Sequence, residues 1–555
     1  MTEVVSEPHH DRRLRRDVGR VGLLFAGIGS IIGSGWLFGA FNTSVVAGPA
    51  GLFSWLIAAV MIMLIGLSYA ELGPMFPITG GVVRYPHMIW GSFASYSLGF
   101  ITWIASAAVP AIEVEGALQY ATKFAPFTRA QTVNGATTHT LTGLGLVVAI
   151  VLMAIFVVVN YLGVRLFAAI NTVLVWWKLL VIVMVIVVFL ITAFVGHRMG
   201  GPGNYTAKGF APSASGVFTA IATAGITFSF LGFRQGIELA GESKNPKRNV
   251  PFAVIGSVGI TAIIYVLLQV AFTMGVPRSA LEASGGWDNL TFANDFGPLA
   301  AIATLSGLSF VAVILYIDAV VSPGDTGLVY TTVASRVSYA MGRNGNAPRW
   351  LAKNNTRGVP VWGLLITFIV ALILFLPFPS WQQLVGFITS ATVISFGSGP
   401  LVVASLRRQM PDRERPFRLP GGDIIPFLAF YSSNMIVFWG GWATNEKLFI
   451  TVLIGYVLLV IFQLTGDKSR KPALDFKAGA IWVIPWFICM VLVSYLFDPA
   501  SHPGAFYWVF LINLGVSIGI YLLAIRTRLP QAAIERHIAD AEGESAEESI
   551  DTPNI

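Results

Sequence analysis

Fourteen stretches of the sequence are apolar over about the length that crosses ~30 Å of hydrocarbon, which takes roughly 20 residues of α-helix. The first seven lie near 21–46, 50–73, 91–118, 143–162, 169–195, 216–239 and 249–275. The others lie near 301–327, 360–378, 382–405, 424–442, 447–465, 479–497 and 506–525. Lipid cannot hydrogen-bond a bare backbone, so only helices or closed barrels span it, and the alternating strands of a barrel are absent. The fold class expected is therefore an all-α integral membrane protein of about 14 transmembrane helices, called spans 1–14 below. Charged residues make up 11% of the chain, against roughly 25% in soluble domains. That shortage excludes a soluble enzyme, a nucleic-acid binder and a fibrous protein. The net charge of +7 is no nucleic-acid footprint, because the basic residues sit between apolar runs, where topology explains them. A single cysteine, Cys489, inside an apolar run, excludes a disulfide framework and a Cys-based metal site.

Basic residues orient the spans. With the N-terminus inside, 27 of the 35 Lys and Arg residues fall in inner segments. Six fall outside (Lys123, Arg129, Arg198, Lys208, Arg278, Lys447), and two, Lys178 and Arg234, lie within spans. The positive-inside rule then places both termini in the cytoplasm, and the expected location is the plasma or inner membrane. The basic run Arg12-Arg13-Leu14-Arg15-Arg16 could open a signal peptide, but the long apolar run after it lacks a small-residue cleavage site and reads as a retained first span. After Arg528 the tail is acidic and lacks aromatics, which reads as disorder.

Two spans look interrupted. Span 1 contains Gly27-Ile-Gly-Ser-Ile-Ile-Gly-Ser-Gly35-Trp36, and four glycines in nine residues weaken a helix by roughly 1 kcal/mol each relative to alanine. Close helix packing through Gly29-x-x-x-Gly33 and Gly35-x-x-x-Gly39 is an equal alternative for this stretch alone. Span 6 supplies the second interruption, Ser229-Phe-Leu-Gly232-Phe-Arg-Gln-Gly236. Broken helices at corresponding positions of two repeats point to a midplane binding site. Spans 1–5 and 6–10 then form a five-plus-five inverted repeat. The divisions expected are a 1–20 N-terminal tail, a 21–405 transport core, four additional spans over 406–528 and a disordered 529–555 tail. N–H groups at Ser34, Gly35 and Trp36 suit a carboxylate, because they sit at the positive end of a helix dipole. The carbonyls of Ile31, Phe228 and Leu231, with Gly232 in the second break, suit an ammonium. A site offering both fits an α-amino acid.

Four stretches give this sequence a family resemblance. They are Ile32-Gly-Ser-Gly35, Tyr69-Ala-Glu-Leu-Gly73 continuing to Pro77-Ile-Thr-Gly-Gly81, Lys244-Asn-Pro-Lys-Arg-Asn-Val-Pro251, and Ser335-Arg-Val-Ser-Tyr-Ala-Met-Gly-Arg-Asn-Gly345. In this order, across the first ten spans, they resemble the amino acid–polyamine–organocation superfamily. Gly-Ser-Gly-Trp-Leu-Phe in span 1 and Gly-Phe-Arg-Gln in span 6 are most similar to its aspartate–proton symporter branch. The resemblance implies alternating access, with the substrate carboxylate on Ser34 and Gly35 and its amino group on the carbonyls of Ile31, Phe228 and Leu231. It implies that Phe228 stands where relatives place an aromatic that closes over the substrate.

An ionisable residue inside a span is a functional candidate by default. Lys178 lies about nine residues into span 5, or roughly 13 Å along it. It either snorkels to the interface or is an amine held out of water that loads and releases a proton. The resemblance favours the second reading, because a lysine here occupies the place of a sodium ion in sodium-driven relatives. It implies contact with the span 1 break and with Asp325 and Thr326 of span 8. Arg234 pairs with Glu238 one turn on, or its guanidinium forks onto an acidic substrate side chain. Glu113 and Glu115 are separated by one residue and point to different faces, and their roles and that of Asp318 stay open. Glu71 reads as structural.

The seven histidines fall in tails, loops or span ends without metal-ligand spacing, and no phosphate loop or nucleophile elbow is present. No enzyme, metal or cofactor is expected. The expected function is secondary transport of an amino acid coupled to protons, with an acidic amino acid as first choice. An exchanger or a neutral amino acid permease of the same fold is the alternative. A membrane enzyme or a channel, from a different class, has no polar catalytic cluster or continuous polar pore to support it.

Overall fold

A computed structural model describes residues 18–78, 80–133, 136–162, 164–196, 198–206, 214–292, 296–355, 359–378, 380–465, 473–499 and 501–548. The basic run at 12–16, Lys208, Thr79 and the last seven residues lie outside the described residues.

Each of the fourteen apolar stretches is helical. Span 1 is two helices, Arg20–Ile31 and Gly35–Ala47, and span 2 is Gly51–Met75. Spans 3, 4 and 5 are Ser92–Ala121, Gly143–Leu162 and Val164–Val195. Span 6 joins Ala214–Thr223 to Phe228–Glu238 with a bend of 49°. Spans 7, 8 and 9 are Pro246–Gly275, Ser309–Arg343 and Val361–Leu374, and span 10 runs over Trp381–Gln409. The remaining spans are Ile424–Trp439, Trp442–Thr465, Val483–Leu496 and Phe506–Arg526. The chain is thus an all-α, multi-pass membrane protein.

Contacts between connections check the alternation independently. Each odd span must leave the face that the next even span returns to. Lys244 after span 6 donates its backbone N–H to Val18 before span 1 (2.9 Å), and Leu529 after span 14 donates to Ile89 before span 3 (2.9 Å). Lys247 after span 6 meets Glu414 after span 10 (2.7 Å). On the opposite face, Gln119 at the end of span 3 reaches the Phe296 carbonyl before span 8 (3.2 Å), and Lys447 opening span 12 reaches the Pro377 carbonyl after span 9 (3.1 Å). One missed span would have put such partners a membrane apart.

Burial sorts the spans. The most apolar window of span 3 is 94% buried and that of span 10 is 100% buried, against 22% in span 4 and 28% in span 12. Spans 3 and 10 therefore line the interior, while spans 4 and 12 keep apolar flanks such as Val147 and Ile461 on the outside of the bundle, where lipid would meet them.

Two sequence expectations need correction, and one element was not anticipated. Span 8 was placed at 301–327, but Pro298–Leu305 is a separate short helix and the span continues to Arg343. Hydropathy misses its last turns because Thr331, Ser335 and Ser338 lie there. Their hydroxyls donate to the carbonyls of Gly327, Thr332 and Ser335, so the polar groups are satisfied within the helix. The region between spans 3 and 4 carries a hairpin, β1 (Thr128–Val133) paired antiparallel with β2 (Ala136–Leu141). The tail expected to be disordered forms the helix Gln531–Glu548. Its Ile534, Ile538 and Ala541 recur at helical spacing and are buried. His537 stacks on His87 of the short helix Gly81–Trp90 at 4.9 Å, and Glu542 pairs with Arg413 at 2.7 Å. Glu535, Asp540 and Glu542 are exposed on the outer face of an amphipathic helix, and average composition hid its apolar stripe.

Candidate functional site

Both breaks lie where spans 1 and 6 cross. In span 1 the regular helix stops at Ile31 and restarts at Gly35; Ile32 N–H still reaches the Ile28 carbonyl (3.0 Å), and Gly33 N–H makes only a tight contact with the Ile31 carbonyl (3.2 Å). Span 6 breaks at 224–227, a few residues earlier than its sequence suggests, and resumes as a tight 3-10 turn over Phe228–Arg234. A methyl group on Gly232 would collide with the backbone of Ser30 and Ile31, and one on Gly35 would collide with the Ser229 hydroxyl. Glycine at 35 and 232 thus serves the close approach of the two spans. At Gly35 this close approach agrees with the packing alternative.

A cavity lies at this crossing, so narrow that it has room for about one water at most. Ile31, Phe228, Leu231, Arg234 and Thr326 line it, joined by Glu113. Ser34, Gly35, Gly232, Lys178 and Asp325 are not among its lining residues. The Ile31 carbonyl, expected to receive an ammonium, already accepts the Tyr265 hydroxyl at 3.1 Å as well as the Gly33 N–H. The Ser34 hydroxyl accepts the Trp381 indole N–H at 2.8 Å, and Trp381 in turn meets the Phe228 ring edge-on at 6.2 Å. Phe228 is thereby held over the cavity.

Lys178 is fully buried. Its ammonium contacts Asp325 at 2.6 Å, the Gly29 carbonyl at 3.0 Å and the Thr326 hydroxyl at 3.1 Å. Thr326 also donates to the Ile32 carbonyl at 3.3 Å. The amine therefore sits against the span 1 break and does not snorkel. Asp318, two turns before Asp325 on span 8, accepts the Trp177 indole N–H at 2.9 Å and the Ser322 hydroxyl at 2.7 Å.

Arg234 is also buried. It donates to the Ser106 hydroxyl at 3.0 Å and to Glu238 at 3.4 Å, and its Nε has no partner among the described residues. The pair with Glu238 exists, but it is long for a charge-assisted bond, which runs near 2.7–2.9 Å. Glu71 is a structural anchor, gripped by Arg407 at 2.5 Å and by the Leu419 N–H at 2.8 Å.

Sequence reasoning left Glu113 without a role. Its carboxylate crosses from span 3 to the span 1 break and accepts the Ser34 N–H at 2.6 Å. Glu115 faces elsewhere, and neither of its oxygens has a partner among the described residues. The signal available in sequence was only that one of the two could face the pathway. Ser106 and Tyr265 gave none, being single polar residues on otherwise ordinary spans.

Comparison with known proteins supplies the family. Residues 22–418 match the amino acid permease family. A glutamate/serine transporter of Bacillus subtilis (strain 168), AimA, is 37% identical over 523 residues, covering 93% of this chain and 94% of its own length. The aspartate-proton symporter of the same organism is 35% identical over 522 residues, covering 92% and 96%. A branched-chain amino acid permease from that strain, BcaP, is 27% identical, covering 84% and 97%. With the two broken spans crossing at a buried cavity and a match over most of its length, the chain belongs to the amino acid permease family of the amino acid–polyamine–organocation superfamily and is an amino acid transporter, not an enzyme.

Proposed function

We propose that this transporter takes up an acidic amino acid, aspartate or glutamate, together with protons, by alternating access of a five-plus-five inverted-repeat core. Arg234 carries the reading. It is a buried guanidinium on the cavity wall, beside the span 6 break, with one donor unpaired among the described residues. A second carboxylate on the cargo would complete its coordination. The α-carboxylate binds at Ser34 and Gly35, at the start of the second half of span 1. The amino group binds at the Ile31, Phe228 and Leu231 carbonyls once Tyr265 gives way, with Gly232 keeping the spans close. Two relatives named for glutamate/serine and for aspartate–proton transport support the same cargo.

Lys178, Asp325 and Thr326 form the proton-coupling centre in this reading, because they join the span 1 break to span 8. The distribution of basic residues supports a chain in the cell membrane with both termini cytoplasmic. One observation favours exchange instead. The Lys178–Asp325 pair is closed at 2.6 Å, and parting two buried charges opposes a rapid proton cycle.

Purified protein in liposomes tests both readings. An inward pH gradient should drive accumulation of labelled aspartate, with glutamate competing strongly, serine weakly, and lysine not at all. Uptake that ignores the gradient but needs internal amino acid identifies an exchanger. Competition by lysine equal to that by glutamate overturns the acidic cargo.

A further inference from the structure

The carboxylate of Glu113 occupies the anchor that the proposed function gives to the substrate. Ser34 opens the second half of span 1, where unpaired N–H groups and the helix dipole attract an anion. Its N–H is donated to Glu113 Oε2 at 2.6 Å, across 79 residues of chain. The other oxygen, Oε1, has no partner among the described residues, although Glu113 is only 1% exposed. The approach depends on Gly33, where a Cβ would lie 2.5 Å from Oε1 and 3.0 Å from Cδ. Glu113 also lines the narrow cavity that Arg234 and Phe228 share. A protein carboxylate thus stands, with a free oxygen, where a cargo carboxylate has to go.

We infer that Glu113 is an internal competitor for the substrate carboxylate, so that protonation of Glu113 releases the Ser34 amide and admits the cargo. An ionised carboxylate accepts that N–H strongly, whereas a neutral carboxyl accepts weakly and does not repel an arriving anion. Substrate binding and proton binding therefore favour each other, and each raises the affinity for the other by the same factor. The charged and titratable groups around Glu113 are Lys178 on span 5, Asp325 and Tyr330 on span 8, Tyr265 on span 7, and Arg234 with Glu238 on span 6. Lys178 and Asp325 neutralise each other at 2.6 Å, so Glu113 is left as the carboxylate whose charge bears on the amide. The inference rests on the reading that an amino acid's carboxylate binds at Ser34.

The test is equilibrium binding of labelled aspartate, glutamate and serine to purified transporter across roughly pH 5–8, in wild type, Glu113→Gln and Asp325→Asn. Wild-type affinity should fall as pH rises, approaching tenfold per unit where one proton is linked to one substrate. Glu113→Gln should bind with nearly constant affinity, tighter than wild type at the alkaline end. It should also lose accumulation driven by a pH gradient while exchange persists. A Glu113→Gln protein that keeps the wild-type pH dependence overturns the inference, and so does loss of that dependence in Asp325→Asn alone. Should Glu113→Gln not fold, wild type in weak buffer with a pH indicator decides. Uptake of about one proton per bound aspartate is expected, and none overturns the claim. If wild type binds no amino acid at any pH, the proposed function fails first, and the two failures are thereby distinguished.

Discussion

Lys178 and Arg234 are the two fully buried cations of the spans among the described residues, and the structure treats them differently. Lys178 has three donors and three close oxygens, from Asp325, Gly29 and Thr326. Arg234 has five donors and meets one hydroxyl and one carboxylate at long range, with the Phe396 ring 5.8 Å from its centre. A cation paired with a carboxylate at close range holds the span 1 break to span 8, as a joint. An unsaturated cation on a cavity wall keeps donors in reserve for a ligand. Charge inside a membrane therefore locates a functional region, and coordination sorts joint from binding group.

The largest effect should follow from breaking the joint. Lys178→Ala strands a buried carboxylate, which costs about 3–5 kcal/mol, whereas Lys178→Met with Asp325→Leu removes both charges. Thermal unfolding in detergent should show the single variant strongly destabilised and the double variant much nearer wild type. Equal destabilisation would remove the pairing argument. If the double variant folds and keeps the wild-type pH dependence of aspartate binding, its failure to couple uptake to a pH gradient while exchange persists would add a coupling step at this centre to the one at Glu113.

A smaller and more selective loss should follow at the other cation. Arg234→Gln removes charge-assisted bonds of about 1.5–3 kcal/mol, so aspartate uptake should fall roughly 10–100-fold in kcat/KM. Serine uptake should stay close to wild type. Equal loss for both substrates would reassign Arg234 to its Glu238 pair and make it a second joint.

The smallest effect concerns a contact away from both cations, on the face where the tail helix docks. Burial, with the neighbouring His537 and Arg84 charges adding to it, holds the His87 imidazole well below its usual range. The undocked state then binds the proton more readily. Docking is complete above the ordinary histidine value of about 6.5 and weakens as pH falls below it. Limited proteolysis of residues 531–548 should accelerate on acidification and should lose that dependence in His87→Gln. A pH-independent cleavage rate would show that the stack does not hold the tail. It would also leave the two cations as the chain's principal charged devices.

Much of this was legible before any coordinate. Long apolar runs name helices because lipid leaves the backbone no other partner, and the glycine-rich stretch at 27–35 marks a break because glycine is costly in a helix. Arg234 and Lys178 declared themselves because a charge in a span needs a reason. The tail helix was hidden because its apolar stripe is only Ile534, Ile538 and Ala541 amid acidic neighbours, and it acquires meaning only against the Gly81–Trp90 helix. Span 8 was read short because the hydroxyls of its last turns bond within the helix.

The sequence by itself determined that the chain spans a membrane as helices, which two spans break and which side chains carry charge inside. Those are local properties, fixed by backbone solvation and residue type. Only the tertiary structure decided that Lys178 is closely paired with a carboxylate and Arg234 is not, that Tyr265 caps the Ile31 carbonyl, and that Glu113 rather than Glu115 reaches Ser34. Each of these depends on residues tens to hundreds of positions apart meeting within about 3 Å, and helix rotation and crossing set those distances through packing that no single span encodes.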